Sequence, residues 1–142
     1  MIESPLEIKK IHPGNIRIYP APDDAKTSND CTLRTKYGWG SHAEDPQSYR
    51  VKLVVSFGKV KKDHTPEHYR GEVEMIGYFK IHPDYPSQHA ETLIGVTAIS
   101  VLYGAARELI SSLTSRHPYG TLSIPSVSFI DEATPKKQSL NT

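Results

Sequence analysis

Cysteine is nearly absent: Cys31 is the whole thiol content of 142 residues, so no intrachain disulfide can form. A scaffold held by cross-links is excluded, and a reducing compartment suits the chain. Charge of one sign is also missing. The 17 Lys and Arg stand against 16 Asp and Glu, a formal +1, with bases interspersed among acids. No electrostatic footprint for nucleic acid is expected from such a balance. The longest apolar region starts at Leu93 and meets Arg107 and Glu108 after fourteen residues, short of the roughly 18–20 that a membrane span needs. Met1 to Lys10 carries Glu3 and Glu7 and no long apolar run, so a secretory signal is not expected. The reading is a soluble, cytoplasmic protein with no membrane partner. The nine glycines are scattered and form no phosphate-cradling loop, and no serine sits in a Gly-x-Ser-x-Gly elbow.

What is present is one domain's worth of β pattern followed by one long helix. Leu6 to Tyr19 reads as strand, turn or bulge at His12-Pro13-Gly14-Asn15, then strand, ended by Pro20 and Pro22. Cys31 to about Trp39 alternates apolar and polar residues. Ser48 to Val60 is the clearest strand, with Val51, Leu53, Val55 and Phe57 on one face. After the polar connection Lys61 to Glu67, His68 to Ile81 alternates again, its second half apolar on both faces. Ser87 reads as an N-cap for a helix running to about Arg116. Only Arg107 and Glu108 are charged between Thr92 and Ser115, so the helix is apolar around much of its circumference. One sheet cannot cover such a helix. Either it is a greasy core helix or a second subunit covers the remainder, and the small residues Gly95, Ala98, Gly104 and Ala105 would allow close approach. Leu122, Ile124, Val127, Phe129 and Ile130 read as an extended segment pinned back on the body. The expected division is a domain over residues 1–132 and a disordered polar tail over 133–142.

Chemistry-bearing residues are few. His64 and His68 have a spacing used by zinc ligands, yet they flank Pro66 in a hairpin connection with no third ligand at fixed spacing. Cys31 has no local histidine and reads as a small buried hydrophobe. Arg107-Glu108 reads as a helical ion pair or interface contact. No catalytic residue, metal or cofactor is assigned. The aromatic residues fall mostly on or beside the predicted sheet, and exposed aromatic patches bind apolar partners. Trp39 lies between Gly38 and Gly40 in a predicted loop, and either meets a partner there or folds back on the core.

The run Ile99-Ser-Val-Leu-Tyr-Gly-Ala-Ala-Arg-Glu-Leu-Ile-Ser-Ser-Leu-Thr-Ser-Arg116 resembles the long helix of SecB, the bacterial export chaperone. Leu122-Ser-Ile-Pro125-Ser-Val127-Ser-Phe129 is similar to the L-x-[LI]-x-P-V-x-F that follows it, with one extra serine after the proline. Leu6 to Ile11 and Ile16 to Pro22 look like the family's first strand and its proline-ended exit, and Gly77 to Ile81 like the end of its last strand. The likeness covers roughly Leu6 to Phe129, weakly between Asp23 and Arg50. It implies an α+β fold, a four-stranded antiparallel sheet with one long C-terminal helix packed on it. It also implies a homotetramer, a dimer of dimers with the long helices between two sheets. The oligomer contact is then expected on Leu93, Ala98, Val101, Leu102, Ala105 and Leu109.

Members of that family use no ATP and hold non-native polypeptide, and many deliver preproteins to the SecA motor. Their client surface runs along the second strand, which maps here onto Leu33, Tyr37 and Trp39, with Tyr49 across the loop. Two departures matter. No apolar periodicity follows Phe129, so the family's second helix is expected to be missing, and the charge is near neutral where export SecB is acidic. Both departures favour a solitary SecB-like chaperone of a toxin–antitoxin–chaperone system, some of which act in phage defence, with an antitoxin as client. General export is the second expectation. A rigid oligomeric adaptor for one folded partner, and a metal enzyme built on His64 and His68, are the competing classes.

Overall fold

A computed structural model describes residues 4–22, 26–28, 31–58 and 66–129. Four strands form one antiparallel sheet: β1 (Leu6–Pro20), β2 (Leu33–Ser41), β3 (Ser48–Phe57) and β4 (Tyr69–Ile81), in the order β1-β4-β3-β2. β2, β3 and β4 are joined in sequence as neighbours. β1 and β2 occupy opposite edges, so the chain between them crosses the end of the sheet. That crossover is held from below: Ser28 N donates to Pro66 O at 2.9 Å, and the Glu67 carboxylate accepts from Thr32 N and Oγ1 at 2.5 and 2.8 Å.

β1 is one continuous strand rather than two. Its ladder with β4 slips between Ile8 and Lys10 and between Pro13 and Ile16, which absorbs the prolyl turn signal as a bulge. Pro13 is tolerated because β1 is an edge. The other strand bounds lie within three residues of the expected ones, with the start of β3 and the end of β4 unchanged and β2 running to Ser41, which takes Trp39 out of the loop and into the ladder opposite Val51.

The long helix covers Ser87–Thr114. It opens as a 3-10 turn (Ser87–His89), becomes α (Ala90–Leu93), widens to a π stretch (Ile94–Ala98) and returns to α (Ile99–Thr114). Ser87 does not cap it: no side chain caps the start, and Ser87 is the first residue of the 3-10 turn. By length and composition the helix could cross a membrane; here one face lies on the sheet. Ile94, Ala98, Leu102, Ala106, Ile110 and Thr114 form a ridge at four-residue spacing, every member with zero exposure. Gly77 on β4 makes the close approach possible, because a Cβ there would meet the Phe79 ring and lie 2.9 Å from Leu102.

Residues 121–129 return along the helix without regular structure. Thr114 Oγ1 accepts from Leu122 N at 2.8 Å while donating to Ile110 O at 2.7 Å. Arg107 Nε donates to Ile124 O at 3.0 Å and its NH1 group donates to Ser126 Oγ at 3.0 Å. Arg107 thus fastens this segment; the expected pairing with Glu108 is replaced by that role. Ile124 and Phe129 are buried, whereas Val127 is exposed. The expected tail over 133–142, Ile130 and the start of any second helix lie outside the described residues.

Candidate functional site

The register of β2, β3 and β4 sorts their side chains into two faces. Odd-numbered residues share the helix side: Tyr37 faces Leu53, Trp39 faces Val51, and Tyr49 faces Phe79. Tyr37 is 4% exposed and belongs to the core. Its ring stacks on Trp39 (centroids 6.2 Å, 5° between planes) and meets Phe129 edge-on at 6.0 Å. Tyr103 from the long helix closes the other side of Phe129 at 5.6 Å, and its hydroxyl donates to Pro125 O at 2.5 Å. The returning segment therefore ends in an aromatic cluster that backs Trp39. Leu33, Trp39 and Tyr49 pack on the core but stay partly exposed. The indole Nε1 of Trp39 is buried and has no acceptor among the described residues.

A cavity of about 560 Å³ lies at this end of the sheet. Trp39, Tyr49 and Phe79 border it, together with Gly38, Gly40, Arg50, Lys52 and Tyr78 from the even-numbered rows. The structure thus brings Trp39 and Tyr49 to one cavity, places Tyr37 beneath them, and leaves Leu33 four residue pairs further along β2 beyond Tyr37, outside the cavity lining. Sequence reading did not single out Gly38 and Gly40 as cavity residues. Their signal was the absence of side chains on the even face of an edge strand.

The residues expected to contact other subunits divide in two. Ala98 and Leu102 have zero exposure and face the sheet, so they have no area left to offer. Leu93, Val101, Ala105 and Leu109 are half-buried on the neighbouring ridge, which continues to Leu113 at 39% exposure. A second apolar strip lies on the β1 edge, where Ile8, Ile16 and Tyr19 are 50%, 40% and 50% exposed.

No chemistry gathers elsewhere among the described residues. No three of His, Cys, Asp and Glu converge on a metal-sized site there. His68 accepts or donates to Thr27 Oγ1 at 2.7 Å and stacks on Tyr119 at 4.6 Å; His64 lies outside the described residues. Burial, with a smaller contribution from the Glu67 charge, pushes the Cys31 thiol above its ordinary value, which opposes thiolate formation.

The sheet order, the crossover and the helix laid across one face have a counterpart among solved structures. The Mycobacterium tuberculosis SecB-like chaperone Rv1957, solved in complex with a ChAD peptide from the HigA1 antitoxin Rv1956, superposes with a TM-score of 0.65, covering 87% of this chain and 88% of that one at 14% identity. The fold is SecB-like. A protein of unknown function from Streptococcus agalactiae matches with a TM-score of 0.48 over 85% of this chain and 97% of that one, at 8% identity, too loose to carry an argument. No family model and no curated protein matches the sequence. The SecB-like fold and its single described long helix are what the helix motif and the strand pattern implied.

Proposed function

We propose that this protein is an ATP-independent chaperone that holds non-native polypeptide on the aromatic end of its sheet, with Trp39 and Tyr49 as the contact residues. One observation carries the reading: the SecB-like fold is shared with a chaperone that was solved with a peptide bound. The site supports it on its own terms. A non-native chain presents varied apolar side chains and free backbone, so its binder needs large adaptable rings more than a fitted pocket. Trp39, partly exposed, supplies such a ring at the border of the cavity. Tyr37, Tyr103 and Phe129 make the floor rigid. Leu33 widens the apolar surface along β2.

The finer reading is an antitoxin client in a cytoplasmic toxin–antitoxin–chaperone system. Preprotein delivery to SecA ranks below it, because the near-neutral charge differs from the acidic balance of export SecB. Self-association belongs to the same proposal. The open ridge of Leu93, Val101, Ala105 and Leu109 and the exposed β1 strip are two separate apolar surfaces, as a dimer of dimers requires.

The test is suppression of aggregation of a chemically unfolded client, without nucleotide, alongside thermal melting. Trp39→Ala and Tyr49→Ala should each weaken client binding by ~1–2 kcal/mol with little change in melting. Tyr37→Ala should lower melting as well. Unimpaired client aggregation at one subunit per client would overturn the chaperone reading. A monomer by light scattering at micromolar concentration would remove the assembly.

A further inference from the structure

The even-numbered rows of the sheet, facing away from the helix, have a charge character that the near-neutral composition hides. On β2 these rows carry Arg34, Lys36, Gly38 and Gly40; the ladder sets Gly40 beside Arg50 and Gly38 beside Lys52 on β3, and Arg50 beside Tyr78 on β4. The nearby carboxylates are already engaged. Glu74 pairs with Lys52 at 3.3 Å, and Asp45 in the β2–β3 turn pairs with Lys80 at 3.5 Å and accepts from Ser48 Oγ at 2.7 Å. Lys36 and Arg50 have no ion pair among the described residues. Arg34 donates to the Gly58 carbonyl at 3.2 Å and has no ion pair among the described residues. Gly40 is exposed, with nothing within 4 Å of an added Cβ, while Gly38 beside it is buried, and both border the 560 Å³ cavity.

We propose that this outer face of the β2–β3 hairpin is a docking surface for an acidic polypeptide segment. Charge complementarity selects the sign of the partner. Width and length select its class. A long polyanion needs a continuous basic track or a row of free rings for base stacking. Here Glu72 and Glu74 interrupt the face on β4, and the Tyr78 ring is stacked on His12 at 6.0 Å. Arg34, Lys36 and Arg50 lie within one hairpin, with Lys10 of β1 in the row of Arg50 and Tyr78, and Arg70 drawn over the Tyr19 ring beyond Glu72, a span that suits a short run of Asp and Glu with one side chain seated over Gly40. This surface lies on the face opposite the helix but borders the same cavity as Trp39 and Tyr49, so Lys36, which does not line that cavity, separates acidic-segment docking from client holding.

The experiment uses fluorescein-labelled 12-residue peptides, one Asp/Glu-rich with a central Phe, one with Lys at every acidic position, and a single-stranded oligonucleotide. Anisotropy is read on the full chain at 50 and 300 mM NaCl. The acidic peptide should bind at least tenfold tighter than its basic counterpart, and the added salt should weaken it several-fold. The Lys36→Glu, Arg50→Glu double variant should lose at least tenfold in affinity with melting unchanged, and Lys36→Glu, outside the cavity lining, should leave client holding unchanged. Lys36→Glu alone, exposed on the edge strand, should lose severalfold and keeps the test decisive if the double variant misfolds. Equal binding of both peptides, or undiminished binding in Lys36→Glu, would overturn the proposal. So would an oligonucleotide that binds tighter than the acidic peptide.

Discussion

Two neighbouring ridges of the long helix have closely similar composition and opposite surroundings. Ile94, Ala98, Leu102, Ala106, Ile110 and Thr114 are sealed against the sheet, while Leu93, Thr97, Val101, Ala105, Leu109 and Leu113 run beside them partly open to water. The closed ridge alternates large apolar residues with small or hydroxylated ones at four-residue spacing, and the open ridge does so as far as Leu109, so either could mesh with a flat partner. What distinguishes them is the partner's shape. Gly77 opens a dent in the sheet under Leu102, and the aromatic cluster of Tyr37, Phe129 and Tyr103 flanks the same ridge. The open ridge has no equivalent cover within the described chain. An apolar helix face is therefore an ambiguous signal, read as core or as contact surface only after the packing is known.

The sharpest way to break this contrast is to place the same charge on each ridge. Leu102→Asp buries an uncompensated carboxylate between helix and sheet, a cost of several kcal/mol. It should abolish cooperative melting seen by circular dichroism. Leu109→Asp should leave the melting transition in place and reduce the mass measured by light scattering. If the two variants behave alike, the ridges are equivalent and the division is wrong.

A second, smaller effect probes the dent that selects the closed ridge. Gly77→Val places side-chain atoms against Leu102 and the Phe79 ring. Overpacking of this kind should cost about 1–3 kcal/mol, read as a lower denaturation midpoint at unchanged slope. Gly104→Val, where nothing lies within 4 Å of an added Cβ, should change stability by less than about 0.7 kcal/mol.

The smallest effect concerns the hydroxyls that tie down the returning segment. Tyr69 donates to Gly120 O at 2.5 Å and Tyr103 to Pro125 O at 2.5 Å. Burial is the main cause raising both phenols above their ordinary value. The folded state thus favours the neutral phenol. Its contribution is complete below the unfolded value of about 10 and is lost as pH rises through the higher folded value. The melting temperature should hold to about pH 9 and fall above about pH 10. Tyr103→Phe should cost about 0.5–1.5 kcal/mol at neutral pH and flatten part of the alkaline fall. An unchanged alkaline limb would assign the fall to other groups.

Much of the architecture was legible before the structure. Val51, Leu53, Val55 and Phe57 alternate because one strand face meets a core, and the β4 alternation matches it residue for residue across the ladder. The helix motif carried the SecB-like fold. Ser87 was misread because a favoured capping residue need not cap when the helix opens as a 3-10 turn. Arg107 was misread because its acceptors, Ile124 O and Ser126 Oγ, come from a segment 17 to 19 residues away with no periodicity to place it. Tyr37 was expected on a strand and Trp39 in a loop, and both were expected to meet a client; the ladder places them two residues apart on one face. Only packing buried the first and left the second at a cavity.

The sequence by itself determined the element types, the antiparallel alternation, the long helix and the absence of an intrachain disulfide, since those follow from local periodicity and residue inventory. Tertiary structure decided which helix ridge closes and which stays open. It placed Arg107 on the returning segment, and it gathered Arg34, Lys36 and Arg50 on one face of a nearly neutral chain. The physical reason is common to all three. Period and propensity act within a few residues, whereas shape and charge at a surface are sums over segments that meet only when the sheet has formed.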